Sequence, residues 1–451
     1  MKKITIFGLF LVFFSVALFA QSEVNLMLTE ISTATSANRI EKDIKTLVNF
    51  GTRHTLSDTI SKTKGIGAAR RWVKSAFEEV SKNCNNCLEV SYLGDIVVAD
   101  GRRILKDTKL VNVLAIQRGT KYPNHYVMMS GDIDSRVSDA NNFTSDSPGA
   151  NDNATGLAGT IEAARVLSNY KFPVSIIYVG LSGEEQGLYG GKIMAEYAKK
   201  NDWNILAVLN NDMIGNIEGI DGVIDNSTFR VFSEAISMET TDRDKAAMRF
   251  YGGEIDGPSR QLARYIDKLT DEYMTNLDAI MIYRLDRFGR GGHHRPFNDA
   301  GFTGVRIMET HENYNRQHQD LRTENGINYG DVLDGVNFEY AAKLTAVNSL
   351  TLASLAAAPL APENVMIAGA VEPSTRLKWD ASNDDNIIGY KIYWRDTTSP
   401  QWEYSRFVGT VSDYTLKNIV IDNYLFGVAS VGKNGAESLI QFPRKLIPEG
   451  M

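Results

Sequence analysis

Apolar residues recur at helical spacing over Asn38–Phe50 and again over Gly65–Val80, so two helices are expected to open the folded part of the chain. The stretch Gly51–Lys64 between them is polar and rich in turn residues. Beyond them, short β-branched apolar runs alternate with longer helical patterns. The runs are Leu110–Ile116, Tyr126–Met129, Val174–Leu181, Ile205–Leu209 and Gly304–Met308, and the helical patterns are Thr155–Ser168, Leu188–Lys199, Pro258–Thr270 and Tyr329–Leu355. Alternation of this kind predicts an α/β sheet covered by helices on both faces, with its chemistry beyond the carboxyl ends of the strands.

The pattern changes after the alanine-rich tail Ala353–Ala361. From Pro362 to Leu446 there are short strand-like runs and no helical pattern: Thr375–Trp379, Gly389–Trp394, Tyr404–Val408, Asp413–Leu416 and Asn423–Ser430. Turn signals at Asn383–Asp385 and Gly432–Gly435 separate them, which predicts a small antiparallel β-sandwich. At the other end, Lys2 and Lys3 precede an apolar run from Ile4 to Phe19, with Ala20 at a usable cleavage point. Residues 1–20 therefore read as a signal peptide, which divides the chain into 1–20 signal, 21–358 α/β domain and 359–451 sandwich. No later stretch is apolar enough to span a membrane, so export to the periplasm or the medium is the expectation, with no membrane attachment after cleavage.

Loss of Lys2 and Lys3 moves the formal net charge from −7 to −9, a balance that speaks against a nucleic-acid partner. The two cysteines, Cys84 and Cys87, sit close together without a second pair that could complete a zinc site. In an oxidising compartment they are expected to form a short-loop disulfide between a helix and a strand.

Four segments at or beyond strand-like runs carry carboxylates: Ser130-Gly-Asp-Ile-Asp-Ser-Arg136, Pro148-Gly-Ala-Asn-Asp-Asn-Ala-Thr-Gly156, Ser182-Gly-Glu-Glu-Gln-Gly-Leu-Tyr-Gly190 and Asn210-Asn-Asp-Met-Ile-Gly215. A single aspartate in such a place is ordinarily a helix cap or a turn residue. Four acidic groups at neighbouring strand ends repel one another unless a positive charge lies among them, and divalent metal ions are the natural source.

In the order and spacing of these segments, residues 38–355 closely resemble the zinc metallopeptidase family that includes bacterial leucyl aminopeptidases, glutaminyl cyclases and the glutamate carboxypeptidase and transferrin receptor group. The resemblance implies a three-layer αβα zinc-exopeptidase fold with a doubly wound mixed sheet, two zinc ions and peptide substrates. It makes Asp152 the carboxylate that bridges the metals, Glu184 the general base and Glu185 a ligand of the first metal. Asp212 becomes a ligand of the second metal, and His318, in Asn315-Arg-Gln-His-Gln-Asp320, the last imidazole ligand of the first. The C-terminal segment resembles a fibronectin type III domain, an immunoglobulin-like sandwich, in Pro362, Trp379, Gly389-Tyr-Lys-Ile-Tyr-Trp-Arg395 and Tyr424-Leu-Phe-Gly-Val-Ala429.

Two positions depart from the family pattern. Where a histidine normally binds the second metal the chain has Asp132, which makes that site all oxygen and open to other divalent metals. Asp134, the usual buttress of that histidine, then has no ring N–H to receive, and Arg136 is a candidate to offset the added negative charge. His293 stands where an aspartate is usual, ahead of His294; the two could line the substrate pocket, assist the reaction or cap backbone groups. His54, His125 and His311 read as structural. Hydrolysis of an N-terminal residue from a peptide is the leading expectation. Single-zinc cyclisation of N-terminal glutamine and a non-catalytic binding role on the same scaffold are the alternatives.

Overall fold

The computed structural model describes residues 23–448; residues 1–20, read above as a signal peptide, lie outside them. Helices α1 (Glu23–Ser32), α2 (Ala37–Val48) and α3 (Gly65–Asn83) precede strands β1 (Leu88–Val97), β2 (Thr108–Gln117) and β3 (Tyr122–Asp132). There follow α4 (Ala154–Leu167), β4 (Val174–Leu181), α5 (Tyr189–Lys200), β5 (Asn204–Asn211), β6 (Thr228–Ser233), α6 (Asp242–Tyr251), α7 (Pro258–Tyr273), β7 (Asp278–Ile282), α8 (His294–Asp299) and β8 (Gly304–Glu309). A small hairpin, β9 (Arg322–Glu324) and β10 (Ile327–Tyr329), leads to α9 (Phe338–Ala357). The C-terminal strands are β11 (Met366–Ala368), β12 (Thr375–Lys378), β13 (Ile387–Asp396), β14 (Tyr404–Gly409), β15 (Asp413–Leu416), β16 (Tyr424–Gly432) and β17 (Lys445–Leu446).

Eight strands form one mixed sheet in the order β1-β2-β4-β3-β5-β8-β6-β7, parallel through β4, β3, β5 and β8. Alternate residues of the central strands feed two separate cores, as the two-residue period of a strand requires. Val127, Met129, Ile176, Tyr178, Ala207 and Leu209 join the core made with α1–α4, α7 and α9. Their neighbours Met128, Ile177, Val179 and Val208 join the core made with α5 and Phe297 of α8. The mixed α/β class read from the sequence is the class of the structure.

The helix expected over Tyr329–Leu355 begins at Phe338 instead. Asn337 caps it, its side chain accepting from Tyr340 N at 2.8 Å, and Gly330 at φ +120° keeps the preceding segment out of the helix. Cys84 and Cys87 are disulfide-bonded between α3 and β1. The C-terminal strands form a four-stranded sheet, β15-β12-β11-β17, and a three-stranded sheet, β14-β13-β16. Both enclose a core that includes Trp379, Tyr390, Ile392, Trp394, Phe426 and Val428. This unit is bound to α7 through Asp256, whose carboxylate accepts from Arg395 Nη2 at 2.9 and 3.0 Å and from Arg264 Nη1 at 2.8 Å. All three side chains are buried.

Candidate metal centre

Three neighbouring strands and the loop before α4 deliver the acidic segments to one edge of the sheet. Asp132 ends β3, Glu184 and Glu185 follow β4, Asp212 follows β5, and Asp152 lies just before α4, whose cap Asn153 accepts from Gly156 N at 3.1 Å. The approach of α4 to β3 is close: a Cβ on Gly131 would lie 2.4 Å from the backbone of Gly156 and Leu157, so only glycine lets Asp132 and Asp152 sit this near each other.

Asp152, Glu185 and His318 converge. His318 Nε2 is 2.9 Å from Asp152 Oδ2 and 3.1 Å from Glu185 Oε1, and the three ligand atoms lie within 4.8 Å of one another. His318 holds this position at φ +52°, a backbone conformation that a non-glycine residue adopts only under constraint from its surroundings. Arg136 joins the group, with Nε donating to Glu185 Oε2 at 2.7 Å and Nη2 lying 2.6 Å from His318 Nδ1. A guanidinium can only donate, so Nδ1 is the acceptor and Nε2 carries the ring proton, pointed between the two carboxylates. A cation at Nε2 takes the place of that proton. The ring proton would then sit on Nδ1, and Arg136 would donate to Glu185 alone. One imidazole nitrogen and two carboxylate oxygens, buried or nearly so, fit the open three-ligand seat of a catalytic zinc ion.

The second set of expected ligands is differently engaged. Asp132 Oδ1 faces His293 Nδ1 at 2.5 Å, and Asp132 Oδ2 accepts from Asn153 Nδ2 at 2.7 Å. Asp212 Oδ2 is 2.8 Å from Arg306 Nη2, while Arg306 Nη1 donates to both oxygens of Asp286 at 3.1 Å. Arg306 is fully buried. Burial opposes its charge, but Asp212 and Asp286 raise its pKa above the ordinary arginine value. Burial also pushes the Asp212 carboxyl up while Arg306 pulls it down; we take this carboxylate as charged, because a neutral Asp212 would strand part of a buried guanidinium. Asp132 and Asp212 thus meet protein donors in this structure, at the place where ligands of a second ion were expected.

The remaining predicted residues have distinct places. Asp134 accepts from the backbone N–H groups of Gly183 (2.7 Å), Glu184 (3.2 Å) and Glu185 (3.1 Å), so it fixes the loop that carries the paired glutamates. His294 Nε2 is 2.8 Å from Leu285 O and holds the preceding loop, whereas His293 reaches into the site. The Glu184 carboxyl has no hydrogen-bond partner among the described residues and faces the cleft. Its pKa is pushed well above the ordinary range, first by burial and then by Glu185, Asp212, Asp132 and Asp152. Three contributors went unread in the sequence. Arg306 lies within an apolar strand, where a charged residue signals a buried partner. Asp286 is its second partner. Asp331 receives Asn151 N at 2.8 Å and Asp152 N at 2.7 Å, setting the loop that presents Asp152.

The profile of peptidase family M28 matches residues 112–334. A protein of Leptosphaeria maculans described as a probable zinc metalloprotease is 40% identical over 427 residues, which cover 94% of this chain and 97% of that protein. A probable zinc metalloprotease of Pyrenophora teres f. teres is 41% identical over 413 residues, 90% of this chain and 85% of that protein. These relatives are fungal, whereas the sequence motifs had pointed first to bacterial enzymes. Among solved structures, LapB from Legionella pneumophila superposes with a TM-score of 0.53 at 17% identity, covering 74% of this chain and 76% of that one. The Legionella pneumophila LapA aminopeptidase gives 0.51 at 20%, covering 74% and 75%. At these identities the structural likeness establishes the fold alone.

Proposed function

The chain belongs to the zinc metalloproteases of peptidase family M28, and from that premise we propose that it removes single residues from the amino termini of peptides, using one zinc ion held by Asp152, Glu185 and His318. A bound zinc supplies Lewis acidity, drawing electron density from the scissile carbonyl and making water more acidic. Glu184 takes the proton of the attacking water and passes it to the leaving amine. The observation that carries this reading is the contrast between Glu185, tied to Arg136 and His318, and its neighbour Glu184, unpartnered in the cleft. Asp134 keeps the two carboxyls apart in role by gripping the backbone of both residues.

The single ion in this reading rests on how the second set of acids is engaged, by the Arg306 guanidinium and by the ring of His293, whose pKa burial lowers to about 4. Arg306 and His293 stand against Asp212 and Asp132, so the protein's own donors take the role first assigned to a second metal. Replacing Glu184 by Gln should lower kcat by about 10³-fold or more while leaving one equivalent of zinc in the protein, measured by aminopeptidase assay and elemental analysis. Retained turnover would remove Glu184 from its role, and two equivalents of zinc would remove the single-ion reading.

The single seat also favours a second reading, cyclisation of N-terminal glutamine, which needs only those three ligands. Glutaminyl peptides separate the two, since mass spectrometry distinguishes a freed residue from a cyclised terminus. An exported location and a fibronectin type III-like accessory role for the C-terminal strands complete the proposal, supported by the Cys84–Cys87 disulfide and by the two-sheet core around Trp379.

A further inference from the structure

The cleft above Glu184 encloses about 290 Å³ and is lined by five arginines: Arg103, Arg136, Arg287, Arg290 and Arg295. This is an unexpected concentration in a chain whose net charge is −7. No lysine is among the lining residues. Two of the five are committed to the protein. Arg136 holds Glu185, and Arg287 donates to Glu312 Oε2 at 2.9 Å. The other three are exposed and have no carboxylate within hydrogen-bond distance among the described residues. Arg290 stands 3.6 Å from a Glu312 already paired with Arg287 and Arg230, and Arg295 stands 3.6 Å from Asp299. Arg103 gives one N–H to the Glu185 carbonyl.

The carboxylates of the same cleft are all deeper, with the side chains of Asp152, Glu185 and Asp212 between 4 and 12% exposed. The cleft therefore has an acidic floor and a basic rim, and a zinc ion at Asp152, Glu185 and His318 would neutralise much of the floor. Arginine is the side chain whose planar fork matches a carboxylate with two parallel hydrogen bonds. Arg290 lies in a loop with Gly289, Gly291 and Gly292, a composition that lets the backbone adjust to an incoming group.

We infer that Arg103, Arg290 and Arg295 form a receptor for a carboxylate carried by the peptide substrate. This specificity rests on the peptidase reading above. The amino terminus lies on the acidic floor near Glu184, and the carboxylate lies one or two residues outward, at the rim. Two parts of a peptide offer that chemistry: the side chain of an acidic residue at the first or second position, and the terminal carboxylate of a di- or tripeptide.

Paired substrates distinguish the sources. The side-chain arm compares Glu-Ala-amide with Gln-Ala-amide, and the terminal arm compares Ala-Ala with Ala-Ala-amide. The charged member of at least one pair should have a kcat/KM about tenfold higher, expressed mainly in KM. That advantage should shrink in about 0.5 M salt. It should also fall towards unity in the variant R103Q/R290Q, with R295Q as an independent second variant at the exposed rim. Equal rates within both pairs would overturn the receptor and leave the peptidase standing. Absence of hydrolysis or cyclisation of every member would overturn both.

Discussion

A guanidinium buried between Asp212 and Asp286 cannot be removed without leaving two carboxylates uncompensated in a poorly solvated place. The variant R306M should therefore lose roughly 3–5 kcal/mol of stability in chemical denaturation, the cost of breaking a buried pair from one side. Its pH profile should reveal the same cluster. Burial opposes the Asp286 charge, but Arg306, His294 and Arg287 hold the folded carboxyl well below its ordinary value of 3.8. The stabilisation from Asp286 is thus fully present above that ordinary value and disappears as pH falls through the lower folded one. Acid unfolding of R306M should begin at higher pH than that of the parent. Asp152, Glu184, Glu185 and Asp212 stand in short acidic segments at strand ends or loops, and it was the resemblance of those segments to the family that singled them out together with His318. Arg306 was not singled out, because it occupies a run otherwise apolar, and neither the side chain it meets nor the charge it balances is near it in the chain. The work of Asp134 was equally hidden, since its partners are backbone N–H groups that no residue type announces.

At the scale of elements, the site depends on how close α4 comes to the end of β3. A methyl group at Gly131 would meet the first turn of α4 at 2.4 Å, and backbone cannot yield as the end of a side chain does. G131A should destabilise by about 1–3 kcal/mol or more and weaken zinc binding together, read by calorimetry and zinc titration, because the helix that presents Asp152 must retreat. The strands that surround this contact were readable from their apolar runs: β2, β3, β4, β5 and β8 are central and buried. Strand β1 was missed because it lies at an edge with most of its side chains exposed, which erases the apolar run. Strands β6 and β7 lie at the opposite side of the sheet, where five or six residues of mixed character give too little pattern to read. The late start of α9 was also obscured, since Leu333 and Val336 fall at helical spacing while Gly330 and Gly335 interrupt the backbone.

For the whole molecule, the C-terminal strands and the α/β part share a buried ionic contact as well as a border. Asp256 neutralises Arg264 from α7 and Arg395 from β13, and none of the three reaches solvent appreciably. D256N should cost roughly 3–5 kcal/mol and lower the melting temperature of both parts in a thermal scan. The change of periodicity near residue 358 stands out in the sequence, but this contact does not, since Asp256 and Arg395 are separated by more than a hundred positions. One consequence of Arg306 reaches beyond chemistry at the cleft. A cation that is part of the polypeptide cannot be leached by a chelator or withheld by a metal-poor medium. Asp212 is therefore neutralised from the moment the strands assemble, before any trace element is collected.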